Sequence, residues 1–179
     1  NLRFKDITFS YDQGHNVFHK VNFEVKAGST FAFYANEGKG KSTISEIIYG
    51  LRKAKSGIVE INRTDIELLN MDIYRENVSL VSNVEIFHGT VIENIRMGRN
   101  YISIKDIRTA LEKVDLWDHV SMMSSGLETV LSTGGSPLSK GMCIKLMIAR
   151  AIVSDNSLII FDGIFDGMEE KSVKHIFKS

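Results

Sequence analysis

Apolar and polar positions alternate along the first third of the chain. Leu2 and Phe4, then Ile7 and Phe9, alternate in two short registers, while Val21, Phe23 and Val25 keep a single one. Period-two alternation of this kind predicts strands with one buried face. Gly28 marks a turn, and residues 30–34 (TFAFY) read as a near-continuous apolar strand buried on both faces. After a glycine-containing loop the period changes. Ile44, Ile47, Ile48 and Leu51 fall at i, i+3, i+4 and i+7, the stripe of an amphipathic helix. Gly57 precedes a predicted strand over 58–61, and Val78–Val81 predicts another.

The middle of the chain has a helical period. Thr90 with Glu93, and Ser103 with Asp106, have the spacing of capping boxes. Behind the second, Ile104, Ile107, Leu111 and Val114 keep helical spacing. Gly134, Gly135, Ser136 and the only proline, Pro137, break the chain before a long helix over about 139–153. Leu158–Phe161 predicts the last strand and 169–178 the last helix. Mixed strands and helices, with a strand–loop–helix unit among them, predict an α/β domain. At 179 residues the expectation is one domain, 1–179, with a sizeable core.

Charge narrows the partners. Lys+Arg and Asp+Glu both number 22, so no net field favours nucleic acid or an anionic membrane. No apolar run reaches the ~20 residues that span a bilayer, and the N-terminus lacks a secretory pattern. The expected setting is cytosolic, with any membrane attachment made through a partner or a segment outside this chain. Cys143, the single cysteine, reads as a small packed hydrophobe. His15, His19, His88 and His119 show no metal-ligand spacing, and His175 falls on a predicted helix face. Phe87 reads as core.

The chemistry concentrates in AFYANEGKGKSTISEIIYGL. Ala35 to Ser42 fits the phosphate loop G-x-x-x-x-G-K-[ST], with alanine in the first glycine's place. Gly38 and Gly40 let the backbone turn its N–H groups inward around phosphate oxygens. Asn36, Glu37, Lys39 and Thr43 complete the wrap, and Lys39 brings a second cation. Lys41 is expected to reach the β- and γ-phosphates of the nucleotide, and the Ser42 hydroxyl to ligate Mg²⁺. Further on, SLIIFDGIFDG is an apolar strand that delivers Asp162 to its tip, suited to a metal-bound phosphate. DGIFDG fails as a calcium loop because Ile164 sits where an oxygen ligand is required.

Three further segments give the chain its resemblance to the nucleotide-binding domain of ABC transporters, particularly the exporter type. FKDITFSYDQGHNVFHKVNFEVKAG resembles the family's opening strands, with Tyr11 at the position of the aromatic that stacks on adenine. VSLVSNVEIFHGTVIENI resembles the glutamine-loop segment. GLETVLSTGGSPLSKGMCIKLMIARAIVSDNSLIIFD resembles the signature, its helix and the acidic strand. The resemblance implies a P-loop NTPase core (1–82 and 155–179) with an antiparallel β subdomain, and a helical insertion with the signature helix (83–154). It implies ATP and Mg²⁺ as ligands, the metal held by Ser42, Asn83 and Asp162. It also implies a second such domain, as homo- or heterodimer, placing Ser139, Lys140 and Gly141 on the partner's ATP. A membrane-spanning transporter domain would hold the pair at the cytoplasmic face of the membrane.

The pattern breaks at the chemistry. Where the family places the glutamate that polarises water, this chain has Gly163. General-base help is worth typically ~10²–10⁴-fold, so Lys41 and Asp162 are left to support weak hydrolysis or none. Asp166 and Glu169 match the loop that follows, not the base. The signature reads Leu138-Ser-Lys-Gly-Met142, the glutamine is replaced by Asn83, and the family's switch histidine lies beyond what the chain covers. Other readings are a different P-loop enzyme, such as a small-molecule kinase, or a non-hydrolysing regulatory pseudo-domain. A kinase would want an arginine-rich lid, and Arg96, Arg99 and Arg108 are scattered.

Overall fold

The computed structural model describes residues 1–11, 15–36, 38–166, 173–174 and 176–177. The chain forms two compact units, residues 1–78 and 79–179. The predicted helix over 169–178 and His175 fall largely or wholly outside the described residues.

The first unit is built on an antiparallel sheet of four strands, β1 (Leu2–Phe9), β2 (Phe18–Val25), β3 (Ser56–Ile61) and β4 (Thr64–Asp65), in the order β2-β1-β3-β4. The two registers of β1 have a local cause. Its pairing to β2 shifts between Phe4 and Ile7, where Asp6 adopts a left-handed φ of 50°. Residues inserted into one strand of a pair kink it and reset which side chains face inward. Asn22 staples the kink, accepting from the Asp6 amide at 2.9 Å and donating to its carboxylate at 2.9 Å. Phe4, Ile7 and Phe9 are consequently all buried.

Helix α1 (Lys41–Ile48) buries Ile44, Ile47 and Ile48 as the stripe predicts, but Leu51 is 57% exposed. The helix ends before it. Gly50, at φ 76°, donates to Ile47 O at 3.1 Å while Leu51 donates to Glu46 O at 2.8 Å. That pair of bonds is a Schellman stop, which turns the chain away from the apolar stripe. Helix α2 (Met71–Glu76) then docks on this stop, Tyr74 donating its hydroxyl to Ile48 O at 2.6 Å. Burial pushes the Tyr74 phenol up to about 12.

The expected strand over 30–34 is absent. Phe31 and Phe33 instead lie on Phe23 of β2, with ring centroids 5.5 and 4.7 Å away, and Tyr34 is 93% exposed. Side chains two apart share one side of an extended segment, and here that side joins an aromatic cluster on β2 without forming a ladder.

The second unit opens with β5 (Val78–Val81), hydrogen-bonded to β8 (Leu158–Phe161). Between them run β6 (Gly89–Thr90), α3 (Val91–Arg96), α4 (Ile104–Lys113), α5 (Trp117–Met122), β7 (Val130–Leu131) and α6 (Lys140–Ile152). β6 pairs antiparallel with β7. Ile95, Ile107, Leu111, Val114, Leu131, Leu146 and Ile148 are fully buried in one apolar cluster. Ile104, first residue of α4, remains half exposed. Cys143 is buried as predicted, and burial pushes its thiol up. Among the described residues no helix is long and apolar enough to cross a membrane.

Both capping boxes form. Thr90 accepts from the Glu93 amide at 3.1 Å and donates its own amide to the Glu93 carboxylate at 2.7 Å. Ser103 and Asp106 repeat the exchange at 3.1 and 3.2 Å. Accepting these bonds holds both carboxyls below their ordinary values, 4.5 for Glu93 and 3.8 for Asp106. A carboxyl depressed in the fold adds stability that is complete above its ordinary value and lost as pH falls through its folded value. Glu93→Gln combined with Asp106→Asn is therefore expected to flatten the acid limb of a thermal-stability-versus-pH curve below about pH 4.5. An unchanged acid limb would show that the boxes contribute no linkage.

Candidate functional site: a phosphate loop and an acidic strand end

In the first unit, Gly38 and Gly40 take left-handed φ of 75° and 82°, and the chain turns through them into α1. Gly40 has no freedom to be replaced. A Cβ there would lie 2.5 Å from Val17 Cγ1 and 3.2 Å from Phe18 Cδ1. As N-cap, Gly40 brings no side-chain acceptor, and the first turn of α1 contains no acidic residue. Among the described residues the opening amides of Lys41, Ser42 and Thr43 thus have no side-chain cap, the arrangement that receives an anion. Lys41 Nζ donates to Ala35 O at 2.7 Å and Asn36 O at 3.2 Å, so the ammonium is folded against its own loop. Ser42 and Lys39 are exposed, and Thr43 is buried. Glu37 lies outside the described residues.

Tyr11 belongs to the same cluster. Its hydroxyl is 2.7 Å from Thr43 Oγ1, and the ring is 62% exposed. The expected sites on the phosphate loop and at Tyr11 are therefore brought together within this unit.

The second unit carries the remainder. Asp162 follows β8 directly, half-buried, its amide donating to Val81 O at 3.0 Å. Asn83, exposed, lies in a bend two residues past Val81, the end of the neighbouring β5. Gly163 has φ 66°, and among the described residues a Cβ there would meet only Asp166 Oδ2, at 3.7 Å. Space exists for a side chain, but the backbone disfavours one by about 1–2 kcal/mol. The position where the resemblance expects a carboxylate thus lies in a turn suited to glycine. Ser139 caps α6, accepting from the Met142 amide at 3.3 Å, and Lys140 and Gly141 are exposed in its first turn.

Phe87 departs from expectation. Its ring is 38% exposed and, with His88, Ile92, Glu93 and Arg96, lines a surface cavity of about 480 Å³. The backbone of Phe87, not its ring, is what the fold holds. Asn94, fully buried, accepts from Phe87 N at 3.2 Å and donates to Phe87 O at 3.0 Å and Thr90 O at 3.1 Å. Arg150 of α6 completes the knot, donating to Asn94 O at 2.7 Å, Asn94 Oδ1 at 3.2 Å and Glu85 O at 3.0 Å. Burial lowers the Arg150 guanidinium from its usual value. Sequence reasoning missed both residues. The available signal was a polar side chain amid apolar neighbours, Asn94 between Ile92 and Ile95, and Arg150 between Ala149 and Ala151.

A family model described as ABC transporter matches residues 18–165. An uncharacterized ABC transporter ATP-binding protein, YwjA of Bacillus subtilis (strain 168), is 32% identical, covering 100% of this chain and 31% of that protein. The ATP-dependent lipid A-core flippase of Legionella pneumophila (strain Lens) is 31% identical over 98% of this chain and 30% of its own length. Among solved structures, a bacterial Atm1-family ABC exporter with ATP bound superposes with TM-score 0.90 at 26% identity, covering 99% of this chain and 31% of that one. The chain belongs to the ABC transporter family, as an exporter-type nucleotide-binding domain with the P-loop NTPase fold. It spans about a third of the length of these relatives. A small-molecule kinase is thereby set aside.

Proposed function

We propose that this domain binds Mg-ATP on residues 36–43 with Tyr11 as the base platform, and hydrolyses it slowly or not at all. The observation that carries binding is the α1 N-terminus, whose amides have no side-chain cap behind two left-handed glycines, with Lys41 beside it. A helix of this kind fits a triphosphate: amides and dipole favour the anion, and the Lys41 ammonium can exchange carbonyl oxygens for phosphate oxygens. Of the oxygen donors the family pattern offers magnesium, Ser42 belongs to the first unit and Asn83 and Asp162 to the second, each a hard ligand of the kind that ion prefers. Magnesium, when bound, would shield the charge of the phosphates.

Weak hydrolysis follows from Gly163 at the base position, and the left-handed φ there supports it. By the family pattern, this domain pairs with a second nucleotide-binding domain, as homo- or heterodimer. Ser139, Lys140 and Gly141 at the exposed opening of α6 then face the partner's nucleotide. A membrane-spanning transporter domain, attached or supplied by a partner, holds the pair at the cytoplasmic face, where nucleotide binding drives transport.

Calorimetric titration of the purified chain is expected to give saturable Mg-ATP binding, with phosphate release at the protein-free background. Gly163→Glu is expected to raise release by less than the ~10²–10⁴-fold that a well-placed base supplies. Brisk release by the unaltered chain would overturn the assignment of a missing base.

A further inference from the structure

Tyr11 is held from three sides within the first unit. Its hydroxyl meets Thr43 Oγ1 at 2.7 Å, in the first turn of α1 and one residue past Ser42. Phe9 meets the ring perpendicularly at 5.1 Å between centroids. The guanidinium carbon of Arg52 lies over one ring face, 4.9 Å from its centroid. Arg52 is itself fixed by an ion pair to Glu46 of α1. Despite these contacts Tyr11 is 62% exposed.

We infer that Arg52 is a positioning residue for nucleotide: it backs one face of Tyr11, so that the ring presents its opposite face to the base. The inference rests on the reading of Tyr11 as base platform given above. A planar guanidinium stacks on an aromatic face and is attracted by its quadrupole, which resists rotation of the ring. The hydroxyl bond to Thr43 ties the same ring to the phosphate loop. Base platform and phosphate site are then held at a fixed separation before ligand arrives. Such preorganisation lowers the ordering cost of binding. Arg52 lies 41 residues from Tyr11, outside any phosphate-loop motif, and only the fold brings the two together.

Two probes separate a base-side role from a general one: Mg-ATP, and magnesium with inorganic tripolyphosphate. In calorimetry, Arg52→Ala is expected to weaken ATP binding about two- to fivefold, the worth of an exposed cation–π contact, with tripolyphosphate affinity unchanged. Arg52→Lys should recover part of the loss, because an ammonium keeps the charge without the plane. ATP affinity unchanged in Arg52→Ala, or an equal loss for both probes, would overturn the inference. If the alanine variant does not fold, Glu46→Gln, which removes the partner holding the guanidinium, serves instead. The same selective loss of ATP is expected there, and its absence counts against the inference. A wild-type chain that binds neither probe would remove the phosphate-loop reading and this inference together. Binding of both probes with no Arg52 effect removes the inference alone.

Discussion

Lys41→Ala is expected to weaken Mg-ATP binding by about a hundredfold or more while leaving the fold intact. The magnitude follows from chemistry. An ammonium donating to phosphate oxygens makes charge-assisted hydrogen bonds of about 1.5–3 kcal/mol each, and two of these amount to ~10² or more in affinity. Intact folding follows from the structure. The hydrogen bonds of the Lys41 ammonium are to Ala35 O and Asn36 O, both exposed carbonyls that water can satisfy. The aliphatic stripe of α1 lies on Ile44, Ile47 and Ile48, and the stop at Gly50 is independent of position 41. Calorimetry for affinity and circular dichroism for fold check the two halves separately. Undiminished binding in a folded Lys41→Ala chain would remove the loop from the binding site. Loss of binding with loss of fold would contradict the exposed setting of the carbonyls that the ammonium meets.

The phosphate loop was legible because it is local. Gly38 and Gly40 turn the backbone, and Lys41 and Ser42 open α1, features that neighbouring residues encode. The same holds for the capping boxes and for Ser139 as the cap of α6, each a side chain bonding an amide three residues on. Even the helix stop before Leu51 was written in Gly50, though the apolar stripe ran past it. Residues 30–34 show where local reading ends. An apolar run predicts burial, yet Phe31 and Phe33 meet Phe23 without a ladder and remain 47% and 38% exposed. Arg52 behind Tyr11, and Arg150 on Asn94, are contacts between residues 41 and 56 positions apart, which no period or spacing can announce. Gly163 falls between these cases. The sequence shows a glycine where the resemblance expects a carboxylate, and only the backbone shows that the turn has a glycine's conformation.

Asn94→Ala is expected to destabilise the second unit by about 3–4 kcal/mol, near the upper end for a single substitution. Asn94 is fully buried, and its amide exchanges bonds with both backbone groups of Phe87. Its Nδ2 faces Phe87 O at 3.0 Å, Thr90 O at 3.1 Å and Gly89 O at 3.4 Å. Two hydrogens serve three acceptors, so one is shared and the longest contact adds least. Alanine would strip the side-chain partner from Phe87 N and Phe87 O at once, while Thr90 O keeps the intrahelical bond of an N-cap, and each part-buried group left unpaired costs about 1–3 kcal/mol. Partial entry of water keeps the sum below simple addition. Arg150→Met should cost less than Asn94→Ala, since it leaves the Asn94 bonds to 87–90 in place. The double variant should cost less than the two singles together, because residues of one network couple. Urea unfolding of the four chains, followed by the fluorescence of Trp117 in the second unit, measures this cycle. Additive costs would show that Asn94 and Arg150 hold the 85–90 segment independently, each to its own set of carbonyls.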